Sequence, residues 1–175
     1  MTTAARTLET PRLKLRPFTD ADAAAYAAMC ADPEVMRHIG TGVVQTAAEA
    51  WRAMAMFLGH WQLRGFGMWA LEHRTSGVLL GRVGFHHPPD WPDFELGWLL
   101  AREHWGHGYA REAAAAALRH AFESMGRERV ISLIRPGNAR SIAVAEAIGE
   151  RLAGRLELLG SEALVYEARA DARPG

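Results

Sequence analysis

Phe94-Glu95-Leu96-Gly97-Trp98-Leu99-Leu100 leads through Glu103-His104-Trp105-Gly106-His107-Gly108-Tyr109-Ala110 into the alanine run Ala113 to Ala117. An apolar, strand-like segment is followed by two glycines. Ala110, Ala113, Ala114, Ala117, Leu118, Ala121, Phe122 and Met125 then recur at helical spacing up to Gly126. The glycines stand where the backbone must swing from strand into helix. The first turn of a helix has unpaired N–H groups and a partial positive charge, so this junction can hold a phosphate without a basic side chain. Two nucleotide motifs fit it poorly. A Walker loop needs Lys followed by Ser or Thr where Tyr109-Ala110 stands. A dinucleotide fingerprint wants a third glycine near Arg111 and an acidic residue ending the next strand, where the chain has Ile134-Arg135.

Upstream, Leu13, Leu15 and Pro17 alternate with Lys14 and Arg16 as a first strand. Thr19 with Asp22 starts a helix that ends at Asp32-Pro33, and Thr46 with Glu49 starts a second, with Ala50, Met54, Phe57, Leu58 and Trp61 on one face and Gly65 at its close. Phe66 to Glu72 and Val78 to Phe85 read as an antiparallel hairpin turning at Arg74-Thr75-Ser76-Gly77, with Phe94 to Leu100 as the fourth strand. Downstream, Val130 to Ile134 is a mostly apolar fifth strand and Asn138 opens a fourth helix. Arg155 to Leu159 and Ala163 to Ala168 supply two closing strands. Repeated βα alternation is missing, so the pattern describes an α+β domain with a mixed central sheet.

At 175 residues, 49% of them hydrophobic, the chain is expected to form a single domain over residues 1–175, with 1–9 and 170–175 loosely held. Lys plus Arg equals Asp plus Glu at 20 each, which removes the positive field expected of a nucleic-acid or anionic-membrane binder. The lone Cys30 cannot form an internal disulfide, the opening nine residues lack a signal-peptide run, and no apolar stretch is long enough to span a membrane. A cytoplasmic location is expected. His104 with His107, and His86 with His87, lack the Glu or Cys partners of a metal site, so no metal is expected.

The glycine junction resembles the pyrophosphate loop of the GNAT superfamily of acetyltransferases, which reads Gln or Arg, two residues, Gly, one residue, then Gly or Ala. Gly108 and Ala110 match, and Trp105 departs from the first place. The Trp-Gly-x-Gly-Tyr-Ala form is similar to the branch that acetylates the N-terminal alanine of ribosomal proteins. So are Leu8-Glu9-Thr10-Pro11-Arg12-Leu13-Lys14-Leu15-Arg16-Pro17 and Glu95-Leu96-Gly97-Trp98. Asn138-x-x-Ser141 with Ala147-Ile148-Gly149 resembles the second coenzyme-contacting motif. The aromatic that commonly follows this glycine is Glu150 here, and the tyrosine acid of many relatives is Ala145.

The resemblance implies a mostly antiparallel sheet of about seven strands with four helices, splayed between the fourth and fifth strands. It also implies acetyl-CoA as co-substrate and an amine acceptor, either a protein N-terminus or a small molecule, with a homodimer as a further expectation. Trp98, Leu99 and Leu100 would face the pantetheine and acetyl group, an amide there stabilising the oxyanion. Trp105, Gly106, His107, Gly108, Tyr109, Ala110 and Arg111 would hold the diphosphate, and Asn138 and Ser141 would touch the coenzyme, Ser141 also serving as the acid. Glu95 is the expected base, shielded by Phe94, Leu96 and Trp98, and equally reads as a partner for Arg82 or Arg111. His86 is expected beside the acceptor amine, Tyr166 is a further proton donor to consider, and Asp90, Asp93 and Glu95 would suit a cationic acceptor.

Overall fold

The alternation at Leu13 produces strand β2 (Leu13–Arg16) in the computed structural model, which describes residues 7–172. A two-residue strand β1 (Leu8–Glu9) pairs with it, Leu8 against Leu15 and Glu9 against Lys14. The expectation of loose ends lies, for residues 1–6 and 173–175, outside the described residues, whereas Ala170–Ala172 forms a 3-10 turn. Next come helices α1 (Ala23–Cys30), α2 (Pro33–Met36) and α3 (Ala47–Arg64), then strands β3 (Met68–His73), β4 (Leu79–His86) and β5 (Glu95–Leu100). Helix α4 (Tyr109–Glu123), strand β6 (Arg129–Ile134), helix α5 (Ala139–Ala147) and strands β7 (Arg151–Leu158) and β8 (Ser161–Arg169) complete the chain.

The eight strands form one sheet in the order β1-β2-β3-β4-β5-β6-β8-β7, antiparallel except between β5 and β6. The α+β class and the mostly antiparallel sheet agree with the sequence reading, and β1 and α2 add to it. Helix α2 has a local cause. Asp32 does end α1, but its Oδ1 also accepts the Glu34 N–H at 2.9 Å while Pro33 takes the first helical position, where its missing N–H costs nothing. Thr46 and Glu49 form the anticipated capping box, and Gly65 closes α3 at φ 76°.

Helix α4 lies over one sheet face. Its Ala113, Ala114, Ala117 and Ala121 are all fully buried, and alanine is small enough to bring the helix close to Leu13, Leu15, Trp69, Val83, Phe85 and Leu96. Across the sheet, α1 and α3 bury Tyr26, Met54 and Phe57 against Met68, Ala70 and Leu99. Each large apolar side chain removed from water in this way contributes about 1.5–3 kcal/mol. Leu58, placed on the buried face by spacing alone, is 39% exposed, because the α1 contact covers a narrower stripe.

Strands β4 and β5 are in register from Gly81 with Leu100 to His86 with Glu95. A Cβ on Gly81 would come 2.0 Å from the Leu99 carbonyl oxygen, so the close approach of these strands requires glycine there. On its other side β5 meets β6 at only one register pair, Glu95 with Ile131, beyond which the two strands separate. The splay opens the sheet centre and frees main-chain groups of β5 that a continuous ladder would have consumed.

Candidate active site

Two cavities meet at this splay. The first, about 320 Å³, follows the junction quoted at the outset. Gly106 and Gly108 take φ values of 79° and 77°, a region that favours glycine, and Gly108 directly precedes α4. Among the described residues, Gly106, Gly108, Tyr109, Ala110 and Arg111 donate no main-chain hydrogen bond within the protein, so their N–H groups are available at the helix's positive end. Gly106, Gly108, Tyr109, Ala110 and Arg111 line the cavity together with Trp105, whose Nε1 donates to the Leu100 carbonyl at 3.0 Å. Trp98, Leu99 and Leu100 form its inner wall, and Asn138 and Ser141 close it from α5. His107 is the exception. Its carbonyl accepts from Arg12 Nη1 at 2.9 Å and its ring tilts against Tyr109, so it supports the loop from behind rather than lining the cavity.

Arg12 explains why the opening segment belongs to the site. Its Nε donates to Glu112 Oε2 at 2.6 Å, its guanidinium covers the Tyr109 ring, and Thr10 Oγ1 donates to Glu112 Oε1 at 2.6 Å. The segment between β1 and β2 thereby brackets the first turn of α4. Arg140, which the sequence reading did not single out, lies 3.8 Å over the Trp105 ring and lines the same cavity. A cation in the first turn of a helix opposes the dipole, and that misfit was the available signal for singling out Arg140.

The second cavity, about 260 Å³, lies on the α1–α3 side and shares His38, Ile39, Trp98, Leu99, Asn138 and Ser141 with the first. Glu95 enters it from β5. Burial pushes its carboxyl up to about 7, against the pull of the Trp91 hydrogen bond, the Arg82 charge and the Leu133 N–H. Trp91 Nε1 donates to Glu95 Oε2 at 2.7 Å, so the tryptophan of the proline-rich loop orients the carboxyl. His86, opposite Glu95 on β4, also lines this cavity, but burial first and Arg82 next push its imidazole down to about 4. It is therefore neutral at ordinary pH and lines the cavity as an uncharged imidazole.

Other expectations also change. Asp93 is paired with Arg129, and neither Asp93 nor Asp90 lines the cavity, so Glu95 is the one acidic side chain of its wall among the described residues. Glu95 forms no ion pair with Arg82 or Arg111 there. Tyr166 is 5% exposed, packs with Ile134, Ala145 and Leu164, and lines neither cavity. Asn138 Oδ1 accepts the Ser141 N–H at 3.3 Å as a helix cap while both side chains face the junction of the cavities. Cys30 is a buried thiol on the cavity wall, its pKa raised by burial. No group of three metal-ligating side chains occurs among the described residues, and no helix there is long and apolar enough to cross a membrane.

Beneath the splay is a second carboxyl. Glu150 is fully buried, and Ser132 Oγ lies 2.8 Å from the Leu96 carbonyl oxygen and 3.0 Å from Glu150 Oε1. One hydroxyl proton cannot serve both contacts. With Ser132 donating to Leu96, the Glu150 carboxyl must itself be the donor to Ser132, and so be protonated. Burial first, and then the nearby Glu95 charge, push Glu150 up to about 8. At the mouth of the cavity, Arg135 Nη1 donates to the Ser161 carbonyl at 2.8 Å and the Glu162 carbonyl at 3.1 Å, and Nη2 donates to the Gly40 carbonyl at 2.8 Å.

A splayed sheet with a glycine-bounded helix start and an adjoining acceptor cavity defines an acyl-coenzyme A-dependent transferase. The profile of the Acetyltransferase (GNAT) domain matches residues 12–151, and the chain belongs to this family. It is similar to an acetyltransferase from Agrobacterium tumefaciens str. C58, with 36% identity, 94% of each chain covered and a TM-score of 0.84. It is also similar to N-acetyltransferase YoaA of Bacillus subtilis (strain 168), 30% identical over 77% of this chain and 76% of the relative. The fold alone is shared with RimL, the ribosomal L7/L12 alpha-N-protein acetyltransferase solved with coenzyme A. That pair is 18% identical, with 96% and 100% of the chains covered and a TM-score of 0.79.

Proposed function

We propose that the protein moves the acetyl group of acetyl-CoA directly to a primary amine bound beside Glu95. The observation that carries this reading is the meeting of the two cavities at Trp98, Leu99, Asn138 and Ser141, which gives thioester and amine one point of contact. The diphosphate lies on the free N–H groups from Gly106 to Arg111, with Arg111 and Arg140 adding charge. The amine nitrogen attacks the thioester carbon, and a main-chain N–H of Trp98 to Leu100 stabilises the oxyanion. Glu95, directly or through a water, takes the amine proton. The C–S bond breaks, and the departing thiolate takes a proton through Ser141, whose hydroxyl regains one from solvent. A carboxyl near neutrality suits this base, because it is ionised enough to accept a proton and basic enough to hold one.

One finer reading takes the N-terminus of a protein such as a ribosomal protein as the acceptor, on the Trp105 to Ala110 resemblance and the RimL-like fold, and the alternative takes a small amine. The cytoplasm and a single domain belong to the same reading, as does a homodimer, for which β7 offers a free sheet edge. Calorimetric titration with acetyl-CoA, followed by thiol release over an amine panel, tests it. Micromolar binding is expected, with Glu95→Gln losing about 10²–10⁴-fold in kcat/KM. Binding without turnover of any amine would make the protein a coenzyme sensor, and absence of binding would remove the enzyme reading altogether.

A further inference from the structure

The acceptor cavity contains a cation that the acetyl-transfer mechanism does not use. Arg82 stands on β4 opposite Leu99, where the two cavities join, and lines the acceptor side. Its Nε donates to the Tyr26 hydroxyl at 3.0 Å, its Nη1 reaches the Met68 thioether at 3.5 Å, and its guanidinium lies 5.3 Å from the Phe57 ring centroid. These contacts fix the group in place without neutralising it, because a phenol, a sulfur and an aromatic face leave the positive charge and most of the donor fork unmet. Arg82 enters no ion pair among the described residues. The other arginine of the wall differs, since main-chain carbonyls occupy Arg135. Glu95 does not neutralise Arg82 by direct contact either.

Resting on the transferase reading above, we infer that the acceptor is a small amine that also carries a carboxylate, a free amino acid with an apolar side chain, its carboxylate received by Arg82 while its amine faces the thioester. A planar guanidinium with adjacent free N–H groups matches a carboxylate in a two-point contact. Placement agrees with this chemistry. About four strand residues, roughly 13 Å of backbone, separate Arg82 from His86, the register partner of Glu95, and Arg82 and Glu95 both line the cavity, close enough for the Arg82 charge to act on the Glu95 carboxyl. An α-amino acid carries amine and carboxylate on one carbon, so a single guest presents a group to each. Tyr26, Met36, Phe57, Met68 and Trp91 supply the apolar remainder of the wall. At about 260 Å³ the cavity suits a metabolite-sized acceptor.

The test uses matched trios built on leucine, methionine and phenylalanine: the free amino acid, its amide and the decarboxylated amine. Each is assayed by thiol release with saturating acetyl-CoA, alongside an alanyl peptide blocked at its C-terminus. In at least one trio the free amino acid is expected to show a KM at least about tenfold below its two companions, a gap that Arg82→Gln closes. Arg82→Lys, which keeps the charge but loses the fork, is expected to retain part of the gap, and it decides the question should the glutamine variant fail to fold. Equal KM values within every trio, a gap that survives Arg82→Gln, or a peptide preferred over every free amino acid would each overturn the inference while leaving the transferase reading intact. Turnover of no amine at all would overturn both.

Discussion

Two carboxyls, Glu95 and Glu150, lie near enough at the splay for one charge to act on the other, and burial rather than ion pairing decides their charge. Both are pushed above the ordinary carboxylate range, to about 7 and about 8, chiefly by burial. For Glu95 the consequence is kinetic. The base is active when ionised, so kcat at saturating acceptor is expected to fall about tenfold per pH unit below about 7, and Glu95→Gln should remove that limb. For Glu150 the consequence is thermodynamic. A carboxyl with a raised folded-state pKa binds its proton more tightly when folded than unfolded. Its contribution is therefore fully present below the unfolded value of about 4.5 and is lost as pH rises through about 8. Glu150→Gln keeps a donor for Ser132 without the titration. It is expected to flatten the decline in melting temperature between about pH 4.5 and about pH 8 and to exceed the natural protein by several degrees above that window. Parallel curves for the two proteins would show that Glu150 is already ionised at neutral pH and that Ser132 donates elsewhere.

Between β1 and β2 the chain acts on a helix that starts almost a hundred residues later. Arg12, Thr10 and Glu112 bracket the loop that presents the N–H groups, and the Arg12–Glu112 pair is half in water, so it contributes only modestly to stability. Its importance is positional. Arg12→Ala and Glu112→Gln are each expected to raise the Kd for acetyl-CoA about three- to tenfold in calorimetry with little change in melting temperature, and an unchanged Kd in both would mean that the loop holds its own shape. The loop itself was legible in the sequence because its chemistry is local: two glycines at positive φ and the beginning of a helix lie within a few residues of one another, and the Asn138 cap is local to its own helix. The bracket and the Arg82 cluster were not legible, because strand register creates them. From the sequence Arg82 reads only as a partner for Glu95, and its place in the cavity wall follows from α1 and α3 covering that face. Glu150 was noticed in the sequence as a departure, but only the splay shows that it enters the sheet interior, and Trp91 reads as packing until its indole meets Glu95.

At the scale of the whole molecule, the order of the elements was enough to read an α+β sheet and the place of the glycine loop, while the splay between the fourth and fifth strands came from family resemblance and its single parallel register pair from the structure alone. Two cavities that meet at one opening give acetyl donor and acceptor separate places on the protein. On the acceptor side Arg135 joins the carbonyls of Ser161 and Glu162 at the start of β8 to that of Gly40 in the segment before α3. Such a staple is indifferent to a guest that fits beneath it but must be undone for a chain that continues outward. Arg135→Ala is therefore expected to raise kcat/KM for peptide acceptors severalfold and leave that for free amino acids nearly unchanged; equal effects on both would place the doorway elsewhere. If the staple governs entry in this way, selectivity against macromolecules is enforced at the threshold, by three main-chain hydrogen bonds far from any reacting atom, and a single substitution at the rim could widen the range of guests without altering the chemistry inside.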